Sequence, residues 1–313
     1  MILGFLTVAL GPMTLEKKAE WAAAKGFKAL EIACWPKRND RDYSASDIDV
    51  EKLTKAGAAD VLSMMARLGL SISSLAYYDN NLDRDLEKRA AVNAHVRKVI
   101  DAAVLLGVDK VGTFVGRNID KSVADNFPEF EVVFTGLAKY AEDRGIKLMI
   151  ENCPMVGWQK PNEPGTISFS PELWTEMFRR VPAKNFGLNL DPSHMIYLLI
   201  DYMAVIPEFK DRIFHVHAKD GIVSREKLAR YGVFDRQFRG GHDEEGFFSP
   251  RLPGEGEGDW AGFLGALHDV GYDGFVSIEH EDPRYEGAED KVKQGLSLGY
   301  DNLMKAGAKF FGK

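Results

Sequence analysis

Short apolar runs alternate along the chain with longer segments whose apolar residues recur at helical spacing. Strand-like runs fall at Leu3–Leu10, Lys28–Cys34, Ser71–Tyr77 and Lys110–Val115, then at Lys147–Glu151, Gly187–Asp191, Ile213–His217 and Gly274–Glu279. Between them the period is that of an amphipathic helix, over Leu15–Lys25, Glu51–Leu68, Leu86–Leu106, Glu131–Arg144, Pro171–Arg180, Asp201–Ile206, Trp260–Val270 and Lys291–Ala306. Several helical segments run into a glycine just before the next strand: Gly26, Gly69, Gly107, Gly145 and Gly271. Glycine accepts the left-handed backbone that ends a helix, so the chain reads as a repeated strand–helix unit. Eight such strands predict a (β/α)8 TIM barrel over residues 1–313 as a single domain. A doubly wound open sheet is the competing arrangement, disfavoured because no glycine-rich fingerprint follows the first strand.

One long stretch breaks the alternation. From Gly221 to Asp259, after the seventh strand, lie Arg239-Gly240-Gly241-His242 and Pro253-Gly254-Glu255-Gly256-Glu257-Gly258-Asp259. The last segment lacks the Gly-Lys-Ser/Thr ending of a phosphate loop and is acidic. It is expected to be a structured excursion at the ligand end of the barrel.

Composition narrows the class. Of 313 residues 45% are hydrophobic and 28% charged, the proportions of a globular protein with a sizeable core. Forty basic against 47 acidic residues leave a net charge of −7, which argues against a nucleic-acid footprint. Two cysteines without paired spacing, Cys34 and Cys153, fit a reducing compartment. The apolar start from Met1 to Leu10 lacks a basic leader and runs into Gly11-Pro12, so a buried first strand is expected rather than a signal peptide. No apolar run approaches the roughly 20 residues of a membrane span. A cytoplasmic protein without membrane or nucleic-acid partners is the expectation.

The ends of the last four strands carry the chemistry. They read Leu148-Met149-Ile150-Glu151, Leu188-Asn189-Leu190-Asp191, Phe214-His215-Val216-His217 and Val276-Ser277-Ile278-Glu279. Strand side chains alternate faces. If Leu148, Ile150, Leu188, Leu190, Phe214, Val216, Val276 and Ile278 face the helices, Glu151, Asp191, His217 and Glu279 face inward, at the end where barrel enzymes place their sites. Three inward carboxylates repel one another and resist desolvation without a cation. With one imidazole they make a donor set for a hard or borderline divalent ion, Mn²⁺ or Mg²⁺ before structural zinc.

The Glu-Asn of the fifth strand, Asp-Pro-Ser-His after the sixth, His-x-His-x-Lys-Asp of the seventh and Ile-Glu of the eighth resemble the xylose-isomerase-like sugar isomerase/epimerase superfamily. The resemblance spans essentially the whole chain, including the late Pro-Gly-Glu-Gly-x-Gly-Asp-Trp segment. It implies one divalent ion, Mn²⁺ foremost with Mg²⁺, Co²⁺ or Zn²⁺ as alternatives, held by Glu151, Asp191, His217 and Glu279. It also implies Glu151 and Glu279 as the acid/base pair, His194 as a substrate contact, a sugar or keto-sugar substrate, and a homodimer or homotetramer. The implied reaction removes a proton beside a carbonyl through a metal-stabilised enediolate, giving isomerisation or epimerisation. With a leaving group β to the carbonyl, the same site is a dehydratase or lyase acting on a keto-inositol or 3-keto-glycoside.

Departures refine this. Ketose 3-epimerases carry an acidic residue six positions after the fifth-strand glutamate, where this chain has Gly157. The Ala218-Lys219-Asp220-Gly221 ending resembles inosose dehydratases, hydroxypyruvate isomerases and keto-glycoside enzymes instead. An apurinic endonuclease is the remote alternative, disfavoured because the first four strands hold no histidine; a catalytically silent barrel is another. Lys219, Glu31 and Trp35 are further candidate substrate contacts, with a structural partner for a nearby base as the second reading of Glu31 and rim packing as that of Trp35. His215 is expected to be a satisfied interior histidine, His280 to stand behind the site or in solvent, and His95 at the surface or between helices. His242 could cover the site, and Arg117 could bind an anionic group.

Overall fold

A computed structural model describes residues 1–37, 46–235 and 246–312. Its strands are β1 (Ile2–Leu6), β2 (Ala29–Ala33), β3 (Ser71–Ala76), β4 (Lys110–Thr113), β5 (Lys147–Glu151), β6 (Phe186–Leu190), β7 (Ile213–Ala218), β8 (Asp220–Val223), β9 (Phe248–Arg251) and β10 (Phe275–Ile278). Eight of them close into a parallel barrel in the order β1-β10-β7-β6-β5-β4-β3-β2, as the alternating pattern predicts. The helices between them are α1 (Leu15–Lys25), α2 (Lys55–Arg67), α3 (Leu86–Leu105), α4 (Val123–Glu142), α5 (Pro171–Arg180), α6 (Pro192–Leu198), α7 (Val205–Phe209), α8 (Arg225–Tyr231), α9 (Trp260–Asp269) and α10 (Glu289–Gly307). Among the described residues no helix is long and apolar enough to cross a membrane.

Local chemistry explains where elements begin and end. Thr14, Thr54, Ser122 and Asp259 each accept a hydrogen bond from a backbone N–H in the first turn of the helix that follows. The Thr54 cap starts α2 four residues after the expected Glu51. Ser122 starts α4 well before the expected Glu131, with Pro128 inside the helix. The segment expected as a helix from Asp201 begins only at Val205, because the Asp201 carboxylate accepts from Met203 N and Ala204 N in a turn. The first strand stops at Leu6 and the chain continues as a 3₁₀ turn over Thr7–Leu10.

Of the eight residues expected to face the helices, Phe214 is half-buried. Leu148, Ile150, Leu188, Leu190, Val216, Val276 and Ile278 are all fully buried. Strand approach is tight at Gly187 on β6, where a Cβ would lie 2.3 Å from Arg212 O and 2.5 Å from Phe214 Cε2. Gly187→Ala is therefore expected to destabilise by about 1–3 kcal/mol, as overpacking does. A denaturant midpoint equal to that of the parent would contradict this.

The excursion after the seventh strand is structured where it is described. β8 and β9 pair antiparallel, Asp220 opposite Arg251 and Val223 opposite Phe248. The Asp220 carboxylate accepts from the backbone N–H groups of Gly221, Gly254, Gly256 and Gly258 at 2.8, 3.0, 3.2 and 2.9 Å, and from Trp260 Nε1 at 2.8 Å. The glycine-rich acidic segment is thus wrapped round a buried carboxylate. His242 lies outside the described residues.

Candidate metal centre and active site

The four strand-end residues meet. Glu151 is the last residue of β5, Asp191 follows β6, His217 lies in β7 and Glu279 follows β10. All four are buried, and one ligand atom from each lies within 4.8 Å of every other. Asp191 is held from both sides: its Oδ1 accepts from Ser193 N at 2.7 Å to cap α6, and Asn152 clamps its backbone through Nδ2 to Asp191 O at 2.9 Å and Asp191 N to Oδ1 at 2.7 Å. The Asn of the Glu-Asn pair is therefore a brace for the next strand's carboxylate.

His217 is at the centre. Its Nδ1 stands 3.2 Å from Glu151 Oε1 and 3.3 Å from Glu279 Oε2, while Nε2 stands 2.9 Å from Glu31 Oε2. His194 Nε2 lies 3.2 Å from Glu151 Oε1 and 3.4 Å from Asp191 Oδ2. Lys219 Nζ donates to Glu279 Oε2 at 2.6 Å and Glu281 Oε2 at 3.0 Å, with Asp191 Oδ2 at 3.4 Å.

These charges hold one another. Burial opposes the charge of Glu279, but Lys219 and His217 outweigh it and keep the carboxyl well below the usual range. Burial likewise opposes the Lys219 ammonium, yet Glu279 and Glu281 hold its pKa well above the ordinary lysine value. Asp191 goes the other way: burial lifts its carboxyl, and Lys219 and His194 offset this only in part. Among the described residues Asp191 Oδ2 is also buried without a hydrogen bond. An unsatisfied carboxylate oxygen among two more carboxylates and an imidazole is a donor set suited to a hard or borderline divalent cation. The residues fit such an ion.

Beneath the cluster lies a polar layer of which the sequence marks only Glu31 and His215. Glu31 is fully buried and bonds His217 rather than lining the cavity, which favours the structural reading of this residue over a substrate contact. Its Oε1 accepts from Tyr78 Oη at 2.8 Å, and Tyr78 in turn accepts from Asn189 Nδ2 at 2.7 Å. His215 Nδ1 stands 3.0 Å from Asn189 Oδ1, with Nε2 3.2 Å from Ser73 Oγ. His215 is thus the satisfied interior histidine expected of it; burial pushes its pKa down to about 4, against the pull of Glu31. Burial alone would raise the Glu31 carboxyl, but His217 and His215 take it down to about 2.

A cavity of about 140 Å³ opens above this floor, lined on its apolar side by Leu6, Val8, Trp35, Phe114 and Met155, with Glu279 and Glu281 among its polar residues. Trp35 is in the wall, and its buried Nε1–H has no partner among the described residues. Three expectations are corrected. Arg117 gives its guanidinium to Pro164 O and Lys121 O at 3.1 and 2.8 Å, so backbone carbonyls occupy it rather than a substrate anion. His95 is buried, 2.8 Å from Cys34 O and edge-on to Tyr77, because α3 packs against the segment that leaves β2. His280 is buried and is among the residues lining the cavity, with Nε2 facing the Gly295 stretch of α10.

The sequence reading gives no role to Tyr78, Asn189 or Glu281, and marks Asn152 only as part of the Glu-Asn motif. Asn189 shares the inward parity of Asp191, so a signal existed for it, whereas Glu281 lies three residues past the end of β10. Tyr78 lies past the end of its strand, where parity says nothing.

Known proteins are similar to this one over most of its length. An uncharacterised protein of Methanocaldococcus jannaschii is 27% identical over 151 residues, 47% of this chain and 41% of that protein, so the match spans less than half of that relative. An inosose dehydratase of Clostridium perfringens is 23% identical over 276 residues, 86% of this chain and 82% of its own. Among solved structures, the IolI protein with a bound zinc atom superposes with a TM-score of 0.72 at 19% identity, covering both chains completely. D-psicose 3-epimerase of Clostridium cellulolyticum H10, in a structure with D-tagatose, gives 0.70 at 16% identity over 98% of this chain and 99% of that one. At those identities the structural likeness bears on the fold. The family model described as Xylose isomerase-like TIM barrel matches residues 19–301, and the chain belongs to that family.

Proposed function

We propose that the chain is a divalent-metal-dependent sugar isomerase or epimerase that moves a proton at a carbon beside a carbonyl. The observation that carries this reading is the meeting of Glu151 Oε1 and Glu279 Oε2 at His217 Nδ1, at 3.2 and 3.3 Å, in one buried cluster with Asp191. Glu151, Asp191, His217 and Glu279 would hold the ion, Mn²⁺ foremost. A bound divalent ion supplies a Lewis acid that polarises a sugar carbonyl and acidifies the neighbouring C–H.

The chain's own residues do the rest. Glu151 and Glu279 take and return the proton from opposite sides, acting through position more than basicity, since both carboxyls lie below their ordinary range. Lys219 holds Glu279 in place and presents its ammonium beside the cavity wall to a substrate oxygen. His194, against Glu151 and Asp191, reaches a hydroxyl next to the reacting carbon. Trp35 offers its N–H from the apolar wall, which excludes water from the reacting face.

Dehydration of a keto-inositol, or lyase cleavage of a 3-keto-glycoside, is the second reading, favoured by the inosose dehydratase likeness over 86% of the chain. The two readings share the proton abstraction and differ in whether a group β to the carbonyl leaves, water from a keto-inositol or the aglycone alcohol from a 3-keto-glycoside. A panel of neutral keto-sugars and inososes in deuterated water separates them: deuterium entering unchanged substrate or its epimer supports the first, and an unsaturated product the second. Failure to exchange or convert any of them, with the ion supplied, would contradict both.

Ion removal is a separate prediction. Metal analysis is expected to find about one divalent ion per chain. Chelation is expected to lower the unfolding midpoint, because an ion at a thousand times its Kd stabilises by about 4 kcal/mol. Equal midpoints with and without Mn²⁺ would contradict the ion site.

A further inference from the structure

Three adjacent strands of the barrel, β3, β4 and β5, send their C-terminal segments to one residue. Arg117 follows β4 and is buried. Its backbone N–H donates to Asn80 Oδ1 at 2.9 Å and its carbonyl accepts from Asn80 Nδ2 at 3.0 Å, a two-bond clasp on the segment after β3. The same carbonyl accepts from Gln159 Nε2 at 3.0 Å, in the segment between β5 and α5. The guanidinium donates to Pro164 O in that segment at 3.1 Å and to Lys121 O, ahead of α4, at 2.8 Å. Glu163 Oε2 is 3.8 Å from the guanidinium on an exposed side chain, so backbone carbonyls rather than a carboxylate set its place. The fit is close: at Gly116, where φ is +79°, a Cβ would lie 1.8 Å from Asn80 Oδ1.

The tied segments also build the cavity. Tyr78 stands two residues before Asn80, Phe114 three before Arg117, and Cys153 and Met155 lie just past β5. The segment after β5 folds back on itself: Gly165 N donates to Pro154 O at 2.8 Å, and a Cβ at Gly165 would lie 2.9 Å from Met155 O. Whatever holds Pro164 therefore holds Met155. We propose that Arg117 is a positioning residue for the substrate cavity: it sets the spacing of Tyr78, Phe114 and Met155 by tying the segments after β3, β4 and β5 together. Among the described residues none of its hydrogen bonds goes to the four candidate ligands, so it acts on the shape of the cavity and not on the reacting groups. A planar guanidinium spans two carbonyls in a fixed geometry, which the point charge of a lysine does not. The consequence for substrate rests on the function proposed above; the tie rests on the hydrogen bonds alone.

Three variants test the tie. Arg117→Met removes both side-chain bonds, Arg117→Lys keeps the charge without the fork, and Gln159→Ala removes only the amide that bridges Arg117 O and Gly165 O. The first readout needs no substrate. Methyl methanethiosulfonate, a small neutral thiol reagent, labels Cys153, which lines the cavity, and mass spectrometry follows its rate against that of the fully buried Cys34. Cys153 is expected to label about tenfold faster or more in Arg117→Met and about fivefold faster in Gln159→Ala, with Arg117→Lys between the parent and Arg117→Met and Cys34 within about twofold of the parent throughout. The second readout is kinetic: with a responsive keto-sugar, KM is expected to rise about tenfold in Arg117→Met while kcat changes less than about threefold, and Arg117→Lys to recover part of the loss. Labelling of Cys153 within about twofold of the parent in both Arg117→Met and Gln159→Ala, equal acceleration at Cys34, or a fall in kcat larger than the rise in KM would overturn the proposal. A parent that converts no keto-sugar removes the proposed function and leaves the labelling to decide the tie. If Arg117→Met does not fold, Gln159→Ala decides by the same criteria.

Discussion

Glu279→Gln, and separately Glu151→Gln, is expected to slow solvent-deuterium exchange into a responsive keto-sugar by about 10²–10⁴-fold, the range a positioned acid or base supplies. Each change keeps the shape of the side chain, so the loss isolates charge and proton affinity from packing. The two also differ in what they disturb. Glu279→Gln would break the 2.6 Å ion pair with Lys219, freeing an ammonium beside the cavity. Glu151→Gln would turn an amide toward His194 and His217, both 3.2 Å from Glu151 Oε1. A substrate that exchanges at one face only should respond more to one variant than to the other. Undiminished exchange in both variants would remove the two glutamates from the chemistry.

The second large effect is on stability. Asp220→Ala is expected to cost about 3–5 kcal/mol, the scale for uncovering groups paired with a buried charge. Four backbone N–H groups and the Trp260 indole N–H lose their acceptor together. The segment cannot close over the gap with side chains, because at Gly256 a Cβ would lie 2.3 Å from where Asp220 Oδ1 now sits. Asp220 also adjoins Lys219, so the damage should reach the site as weaker substrate binding in whatever protein remains folded. Denaturant unfolding measures the first part. A loss under about 1 kcal/mol, the net worth of one ordinary hydrogen bond, would show that the carboxylate does not organise the segment.

The barrel and the four-residue cluster were legible because both follow from period two. Once Leu148, Ile150, Leu188 and Leu190 are assigned to the helix side, Glu151 and Asp191 have no direction left but inward, and the barrel brings their strands together. What escaped was set by contacts between distant segments. Tyr78 and Asn189 are 111 positions apart and bond each other, and neither sits at a spacing that marks it. The acidic glycine segment has the composition of a loop with surplus charge, yet its order comes from Asp220, 34 to 38 residues upstream. Arg117 escaped for the same reason: the carbonyls that occupy it belong to residues 121 and 164. Periodicity reports which face a residue takes, and says little about who waits there.

The cavity divides its labour between two kinds of surface. Its floor is a web in which Glu31, His217, Tyr78, Asn189 and His215 each depend on a neighbour's bond. Its apolar wall is assembled from Leu6, Val8, Trp35, Phe114 and Met155, contributed by separate segments that follow or end β1, β2, β4 and β5. Changes in the floor are coupled through shared hydrogen bonds, while the wall meets the floor through ring contacts of Trp35 and Phe114 with Tyr78. Single substitutions at the wall are therefore expected to change the shape of the cavity while leaving the hydrogen bonds of the floor in place.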